Sequence, residues 1–256
     1  MGLAAKLPLQ CRHYTASSTM IVDSFVVSTK TNKAMRQIIV TTFLSMDGIL
    51  QAPGGPQEDT TSGFKYGGWI VPFGDDLTNE ALGKIMSTPF DLLLGRRTYE
   101  IFAAHWPYQH DAIGEKFNKI EKFVVSTKQV DTSWINSTLI TGDVVEQLKK
   151  LKAQDGPNLL VHGSSRLVQT LLANQLVDEL HTWIYPITLG KGKKLFQEGT
   201  QAQQWKLTGS TISTTGVIVA SYVPNGKVQT GSFVPENPSE AELERREKWE
   251  REEQRK

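Results

Sequence analysis

Val161-His162-Gly163-Ser164-Ser165-Arg166 is the stretch on which the fold turns. Val161 closes an apolar run, Asn158-Leu159-Leu160-Val161, and Leu167, Val168, Leu171 and Leu172 follow at helical spacing. A buried strand therefore gives way to a helix through one glycine and two small hydroxyl residues. Glycine lets backbone approach a ligand closely, and the first turn of a helix carries N–H groups without intrahelical partners. Such a junction suits a diphosphate, because a helix start favours negative charge. It is neither a P-loop nor the three-glycine dinucleotide fingerprint.

Two more strand ends carry similar chemistry. Residues 91–94 form a short apolar run that stops at Gly95, and Arg96-Arg97-Thr98-Tyr99-Glu100 follows. Free N–H groups and two guanidinium groups there could hold an anion, or the segment could be a plain solvated turn. Residues 121–126 form a third strand that runs into Ser126-Thr127-Lys128. Two hydroxyls and an ammonium suit a phosphate monoester, although an ordinary polar turn has the same composition. Gly190-Lys-Gly-Lys-Lys194 has the look of a phosphate loop but lacks the required Gly-Lys-Ser/Thr.

Strands and helices alternate on either side of these junctions. Residues 37–44 are a near-continuous β-branched run, as a strand buried on both faces requires. The next 30 residues, 45–74, contain ten Gly and Pro residues and no sustained period, the mark of a binding loop or lid. Asp75 or Asp76 can then cap a helix with Leu77, Ala81, Leu82 and Ile85 on one face. Residues 137–141 read as a fourth strand. Asp143-Val-Val-Glu146 opens a helix with Val144, Leu148 and Leu151 inward and Lys149, Lys150 and Lys152 outward. A sixth strand spans 180–185, and Thr214-Thr215-Gly216 joins two last strands as a hairpin. Strands separated by helices predict a mainly parallel sheet, with the hairpin adding antiparallel strands at its edge.

Composition limits the function classes. Hydrophobic residues make up 39% and charged residues 21%, which is ordinary for a globular chain. A formal net charge of +1 gives no general attraction to nucleic acid or acidic membranes, and no apolar run is long enough to span one. The single cysteine, Cys11, excludes an intrachain disulfide and agrees with a cytoplasmic location. No metal is expected: His105, His110 and Asp111 lack a third His or Cys nearby. Residues 1–35 read as an upstream extension, with a short strand conceivable at 20–27. Residues 225–256 read as a charged tail whose helix is solvated, since Leu243 and Trp249 do not share a face.

Taken in order, Ser-Met-Asp47-Gly48, Gly95-Arg-Arg-Thr-Tyr-Glu100, Val125-Ser-Thr127, Val161-His-Gly-Ser-Ser-Arg166, Asp178-Glu-Leu180 and Pro186-Ile-Thr-Leu-Gly-Lys-Gly192 resemble one family. It is the dihydrofolate-reductase-like superfamily, closest in character to the reductase domain of bacterial bifunctional riboflavin-biosynthesis proteins. The resemblance covers residues 36–224 and implies an α/β domain: a central mainly parallel sheet flanked by helices, with a C-terminal antiparallel hairpin. It implies NADPH as cofactor. Gly95, Arg96, Arg97, Thr98, Ser126 and Thr127 match residues around the adenosine and 2′-phosphate, with Lys128 adding charge beside them. Gly163, Ser164, Ser165 and Arg166 match the diphosphate site, and the segment from Thr42 to Gly48 borders the nicotinamide.

The departures are as informative. Dihydrofolate reductases carry a carboxylate on the inner face of the first helix, whereas the matching stretch here centres on Asn79 between Asp76 and Glu80. Where the riboflavin reductases usually have Glu-Gly, this chain has His162-Gly163. The zinc-binding deaminase half is not represented. Three groups are candidates to supply or relay a proton: Asp76, which can equally be a helix cap, Asp47, which can equally brace the turn at Gly48, and His162, which can equally be a packing residue. Trp69 and Tyr185 either stack on a planar substrate or pack the core. The expectation is an NADPH-dependent reductase delivering hydride to a C=N or C=O bond of a small pterin- or pyrimidine-like substrate. The phosphoribosylamino-uracil reduction of the riboflavin pathway is the activity the resemblance suggests. The expected partners are a small molecule and, for assembly, a second copy in a homodimer. The alternatives are an NADPH-sensing module without turnover and a scaffold with an interaction tail.

Overall fold

The computed structural model describes residues 35–233 and 237–255. The expected N-terminal extension, its short strand at 20–27 and Cys11 lie outside the described residues. Eight strands make one sheet: β1 (Ile38–Ser45), β2 (Phe90–Gly95), β3 (Lys122–Val125), β4 (Ser137–Ile140), β5 (Asn158–His162), β6 (Glu179–Tyr185), β7 (Trp205–Ile212) and β8 (Ile218–Pro224). Their order is β4-β3-β2-β5-β1-β6-β8-β7. Neighbours from β4 through to β6 pair in parallel, and β6, β8 and β7 pair antiparallel. This is the mainly parallel sheet with an antiparallel hairpin expected from the alternation of elements.

Side chains alternate across the strands and divide the core between two faces. From β1, Val40 and Leu44 face a cluster built on α4 (Val144–Lys152) and α5 (Ser165–Ala173). Ile39 faces the opposite side, where α2 (Arg96–Ala103) and α3 (Ala112–Lys119) contribute Tyr99 and Phe117. On that second face Phe43 meets Trp183, Tyr185 and the half-buried Ala81, Leu82 and Ile85 of α1 (Asp76–Ser87). The helices after β1 and β2 thus lie on one face, and those before and after β5 on the other. Neighbouring strands β2 and β5, and likewise β5 and β1, send their following helices to opposite faces. In an open α/β sheet, ligands bind in the crevice that this divergence leaves at the carboxyl ends of the strands.

Two local findings go beyond the sequence reading, and a third, at Lys152, corrects it. Residues 112–119, to which the sequence reading assigns no element, form α3, with Asp111 capping it by accepting from the amides of Ile113 and Gly114 at 3.0 and 2.8 Å. The helix is short and contains Gly114, so its periodicity is weak, and the buried Phe117 is what anchors it. Lys152 does not point to solvent with its neighbours but pairs with Asp178 at 2.6 Å. Lys122 is fully buried and donates to the carbonyl of Phe117 at 2.7 Å, with its ammonium 4.5 Å from the ring centroid of Trp134. A cation at a helix C-terminus is favourable, yet burial still pushes this lysine down to about 8.

At the amino ends of the strands, Arg36 and Asp91 form a buried ion pair. Arg36 also donates to the carbonyl of Pro157 at 2.6 Å, and Asp91 accepts from the amide of Glu121 at 3.2 Å. At the other end of the chain, α6 (Glu240–Glu253) carries its charges at helical spacing: Glu242 pairs with Arg245 and Arg246 at 2.6 and 2.9 Å. Leu243 and Trp249 are 47% and 60% exposed, which agrees with a solvated helix lacking an apolar stripe.

Candidate functional site

The crevice between β2 and β5 is built by two glycines that need their lack of a side chain for different reasons. A Cβ on Gly95 would lie 2.0 Å from Ser164 Oγ and 2.9 Å from Ser164 Cβ, so the two strand ends are in direct contact. Gly163 has a φ of +69°, and a Cβ there would meet nothing within 4 Å. Ser164 follows in the same left-handed region at φ +68°, which is costly for a residue with a Cβ. It is the N-cap of α5, but its side chain makes no capping hydrogen bond. The Gly163 amide is used within the sheet, donating to the Thr41 carbonyl at 3.2 Å, so the uncapped start of α5 offers the amides that follow it, beside open space at Gly163. That arrangement fits a diphosphate.

The remaining nucleotide candidates are brought to the same ends of the sheet, yet several are already engaged. Arg96 pairs with Glu100 one turn along α2 at 2.7 Å. Arg97 donates to Thr61 at 3.1 Å and lies 3.6 Å from Asp59. Thr98, in the first turn of α2, is half-buried. Ser126 closes its own turn, donating to the carbonyl of Lys128 at 2.8 Å and accepting from its amide at 3.0 Å, which leaves Thr127 and Lys128 exposed. Ser165 is 8% exposed and Arg166 is on the surface. Thr42 is buried with its hydroxyl unpartnered, and so is Thr182, its register partner on β6. Buried polar atoms without partners are rare enough to mark places that a water or a ligand group completes.

Sequence reasoning left the proton candidates open, and the geometry separates them. Asp75 is the cap of α1, accepting from the Thr78 amide at 2.8 Å and from the amide and hydroxyl of Thr214, both at 2.8 Å, so it also ties the helix to the final hairpin. Asp76 is merely exposed in the first turn. Asp47 accepts from Ser45 Oγ at 2.6 Å and from the amides of Leu189 and Gly190 at 3.1 and 2.7 Å. Burial pushes its pKa up, but these hydrogen bonds outweigh it and hold the carboxylate below the usual range. Asp47 is a clip between loops, ionised at neutral pH.

His162 lies on β5 opposite Thr41, with Nδ1 2.8 Å from Thr41 Oγ1. Phe102 and Phe117 stand over it at ring distances of 6.2 and 6.1 Å. Part of the residue is exposed, but Nε2 is enclosed without a partner, and burial pushes the imidazole down to about 4. It is therefore neutral at physiological pH. In the unfolded chain the ordinary value is 6.5, so the unfolded state takes up the proton first and stability falls as pH drops from about 6.5 toward 4. Burial lowers His181 as well, against the raising influence of Glu179. His162→Gln should flatten the acid limb of a melting-temperature profile measured between pH 7.5 and 4.5. A profile as steep as that of the unmodified protein would show that His162 does not carry the effect.

Trp69 and Tyr185 resolve as core residues. Trp69 is 5% exposed and donates from Nε1 to the Gln51 carbonyl at 2.8 Å. Tyr185 is 4% exposed and meets Phe43, Trp69 and Phe73 edge to face. Burial, with a smaller contribution from Asp75, pushes its phenol up to about 12. The segment 45–74 is accordingly packed by its own apolar residues. Gln51, buried, donates to the carbonyls of Asp59 and Thr61, each at 3.0 Å, and accepts from the Lys193 amide at 3.1 Å. Asp59 pairs with Lys193 on the β6 side and faces Arg97 on the β2 side. Since β5 and β1 lie between β2 and β6, the Asp59–Thr61 turn bridges the mouth of the crevice. Neither Gln51 nor Asp59 was legible as a site residue, because nothing in a Gly/Pro-rich segment indicates which polar side chain turns inward.

The comparisons agree with this architecture. The chain is similar to two proteins of Bacillus subtilis strain 168: YyaP, 26% identical over 202 residues (76% of this chain and 98% of that one), and YwjB, 22% identical over 178 residues (68% and 91%). Among solved structures it resembles a protein of Shewanella sp. PV-4 assigned by name to riboflavin biosynthesis, with a TM-score of 0.56, 20% identity and coverage of 74% of this chain and 99% of that one. It also resembles a pyrimidine reductase-like protein of Corynebacterium diphtheriae, at a TM-score of 0.50, 14% identity and coverage of 76% and 93%. The mainly parallel α/β fold is shared with these two structures. The model of the RibD C-terminal domain matches residues 36–219, which contain the strand ends at Gly95, Ser126 and Gly163, and the chain belongs to that family.

Proposed function

We propose that the protein is an NADPH-dependent reductase acting on a small planar substrate of the pterin or pyrimidine kind. The observation that carries this reading is the β2–β5 crevice, where Gly95 lies against Ser164 and the uncapped start of α5 opens above Gly163. NADPH supplies the hydride when bound. The protein's own part is to hold the diphosphate with the amides at 164–166, to place Arg96, Arg97, Thr127 and Lys128 toward a 2′-phosphate, and to exclude water with the Asp59–Thr61 bridge. Asp47, Asp76 and His162 are respectively bonded ionised, exposed and buried neutral, so water supplies the accompanying proton. Asp76→Asn should then leave turnover unchanged once a substrate is in hand.

A second reading, an NADPH sensor without turnover, is favoured by that same lack of a placed acid. Substrate-dependent NADPH oxidation separates the two. The domain we assign to this function is 36–224, in a cytoplasmic protein that pairs as a homodimer, and the tail 225–256 lies outside it.

The cofactor assignment is tested by calorimetry with NADPH and NADH. NADPH should bind more tightly, since a 2′-phosphate adds close to two negative charges and charge-assisted hydrogen bonds contribute about 1.5–3 kcal/mol each. Arg96→Ala or Thr127→Ala should weaken NADPH roughly ten- to a hundred-fold and leave NADH almost unchanged. Arg96 must leave Glu100 to make its contact, so its effect belongs at the lower end of that range. No binding of either nucleotide at millimolar concentration would end the reductase reading.

A further inference from the structure

Of the lysine-rich Gly190–Lys194 segment only Lys193 takes part in the bridge over the nucleotide crevice, yet the whole segment is held with unusual care. Asp47 takes the Gly190 amide and that of the preceding Leu189, Gln51 takes the Lys193 amide, and Leu50 donates to the Lys193 carbonyl at 2.9 Å. The Leu195 amide reaches back to Gly48 at 3.0 Å. Gly192 is pressed onto the core, since a Cβ there would lie 2.6 Å from Ile49 Cγ2. Facing this segment is the turn at 61–66, in which Ser62 holds a left-handed φ of +58°. Left-handed backbone at a residue with a Cβ costs energy, and such residues concentrate at functional sites.

Between the two lies a cleft of about 640 Å³, within the size range of small-molecule sites. Lys65, Lys191 and Lys193 line it, together with Thr61, Ser62 and Tyr66, and no carboxylate does. Asp59 compensates Lys193, but Lys65 and Lys191 have no ion pair among the described residues. In a chain whose net charge is only +1, the two uncompensated ammonium groups of Lys65 and Lys191 on one cleft form a local positive field. The Thr61 hydroxyl already donates to Asp59 at 2.5 Å, so Ser62 supplies the hydroxyl donor of the cleft, and Tyr66, 58% exposed, offers a flat apolar ring.

We propose that this cleft is a second binding site, separate from the nucleotide crevice, for a phosphate-class dianion. Lys65 and Lys191 provide the charge and the Ser62 hydroxyl the orientation. It is not a P-loop: the helix start that a P-loop uses is missing, and side-chain ammonium groups replace backbone amides as the main donors. The ligand is either free phosphate or a phosphorylated planar compound held additionally against Tyr66.

The test is equilibrium binding to the full chain with three probes: inorganic phosphate, uridine 5′-monophosphate and uridine. The site predicts saturable binding of the two anions and at least ten-fold weaker binding of uridine. Phosphate binding as tightly as the monophosphate identifies free phosphate as the ligand. A monophosphate at least ten-fold tighter than phosphate identifies the phosphorylated planar compound. The double variant Lys65→Glu with Lys191→Glu should lose ten-fold or more in anion affinity, with melting temperature and NADPH affinity unchanged, and Lys65→Arg with Lys191→Arg should retain binding. Uridine binding as well as its monophosphate, or anion affinity unaltered in the glutamate variant, would overturn the proposal. Because the probes lack nicotinamide, failure of NADPH to bind would leave this result standing on its own.

Discussion

Asp91→Ala should destabilise the protein by about 3–5 kcal/mol, the usual cost of leaving a buried charge without its partner. Arg36 is 4% exposed, so its guanidinium cannot recover hydration by moving, and one remaining acceptor, the Pro157 carbonyl, does not neutralise it. For a domain of this size that corresponds to a fall of roughly 6–20 °C in melting temperature. The same ion pair sets the boundary at which the chain can be cut. Removal of residues 1–34 should leave the melting temperature nearly unchanged, whereas removal of 1–36 should reproduce the Asp91→Ala loss by stranding the carboxylate. Arg36→Met combined with Asp91→Leu should regain much of the loss, since replacing both partners removes the unpaired charge. Equal melting temperatures for the two truncations would show that the pair contributes little.

Gly163→Asp should abolish nucleotide binding while sparing the fold. The position is left-handed, which aspartate tolerates better than most residues, and its Cβ would have open space around it, so the expected stability cost is only about 1 kcal/mol. An anionic side chain would then occupy the opening above the start of α5, and both NADPH and NADH should weaken by roughly a hundred-fold or more. Gly95→Ala makes the complementary test. Its Cβ would collide with Ser164, so there the backbone of the α5 start must shift and stability and affinity should fall together. A Gly163→Asp protein that folds normally and binds NADPH as before would place the diphosphate elsewhere.

Much of this protein was determined by sequence alone, where a local rule had one outcome. Runs such as Ile38–Ser45 could only be strands buried on both sides, and the Thr214-Thr215-Gly216 turn could only join antiparallel neighbours. The glycines at 95 and 163 marked strand ends because backbone conformation and close approach are properties that a single residue type reports. What tertiary structure decided is everything that depends on which distant group a side chain meets. Asp47 and Asp76 have the same chemistry, yet loop amides bind one and water bathes the other. His162 became a neutral, enclosed ring because Phe102 and Phe117 close over it from two separate helices. Trp69 and Tyr185 went to the core because they pack against each other across 116 residues of chain. The bridge made by Gln51 and Asp59 had no sequence signal, since hydrogen-bond partners in an aperiodic loop are chosen by the fold and not by spacing.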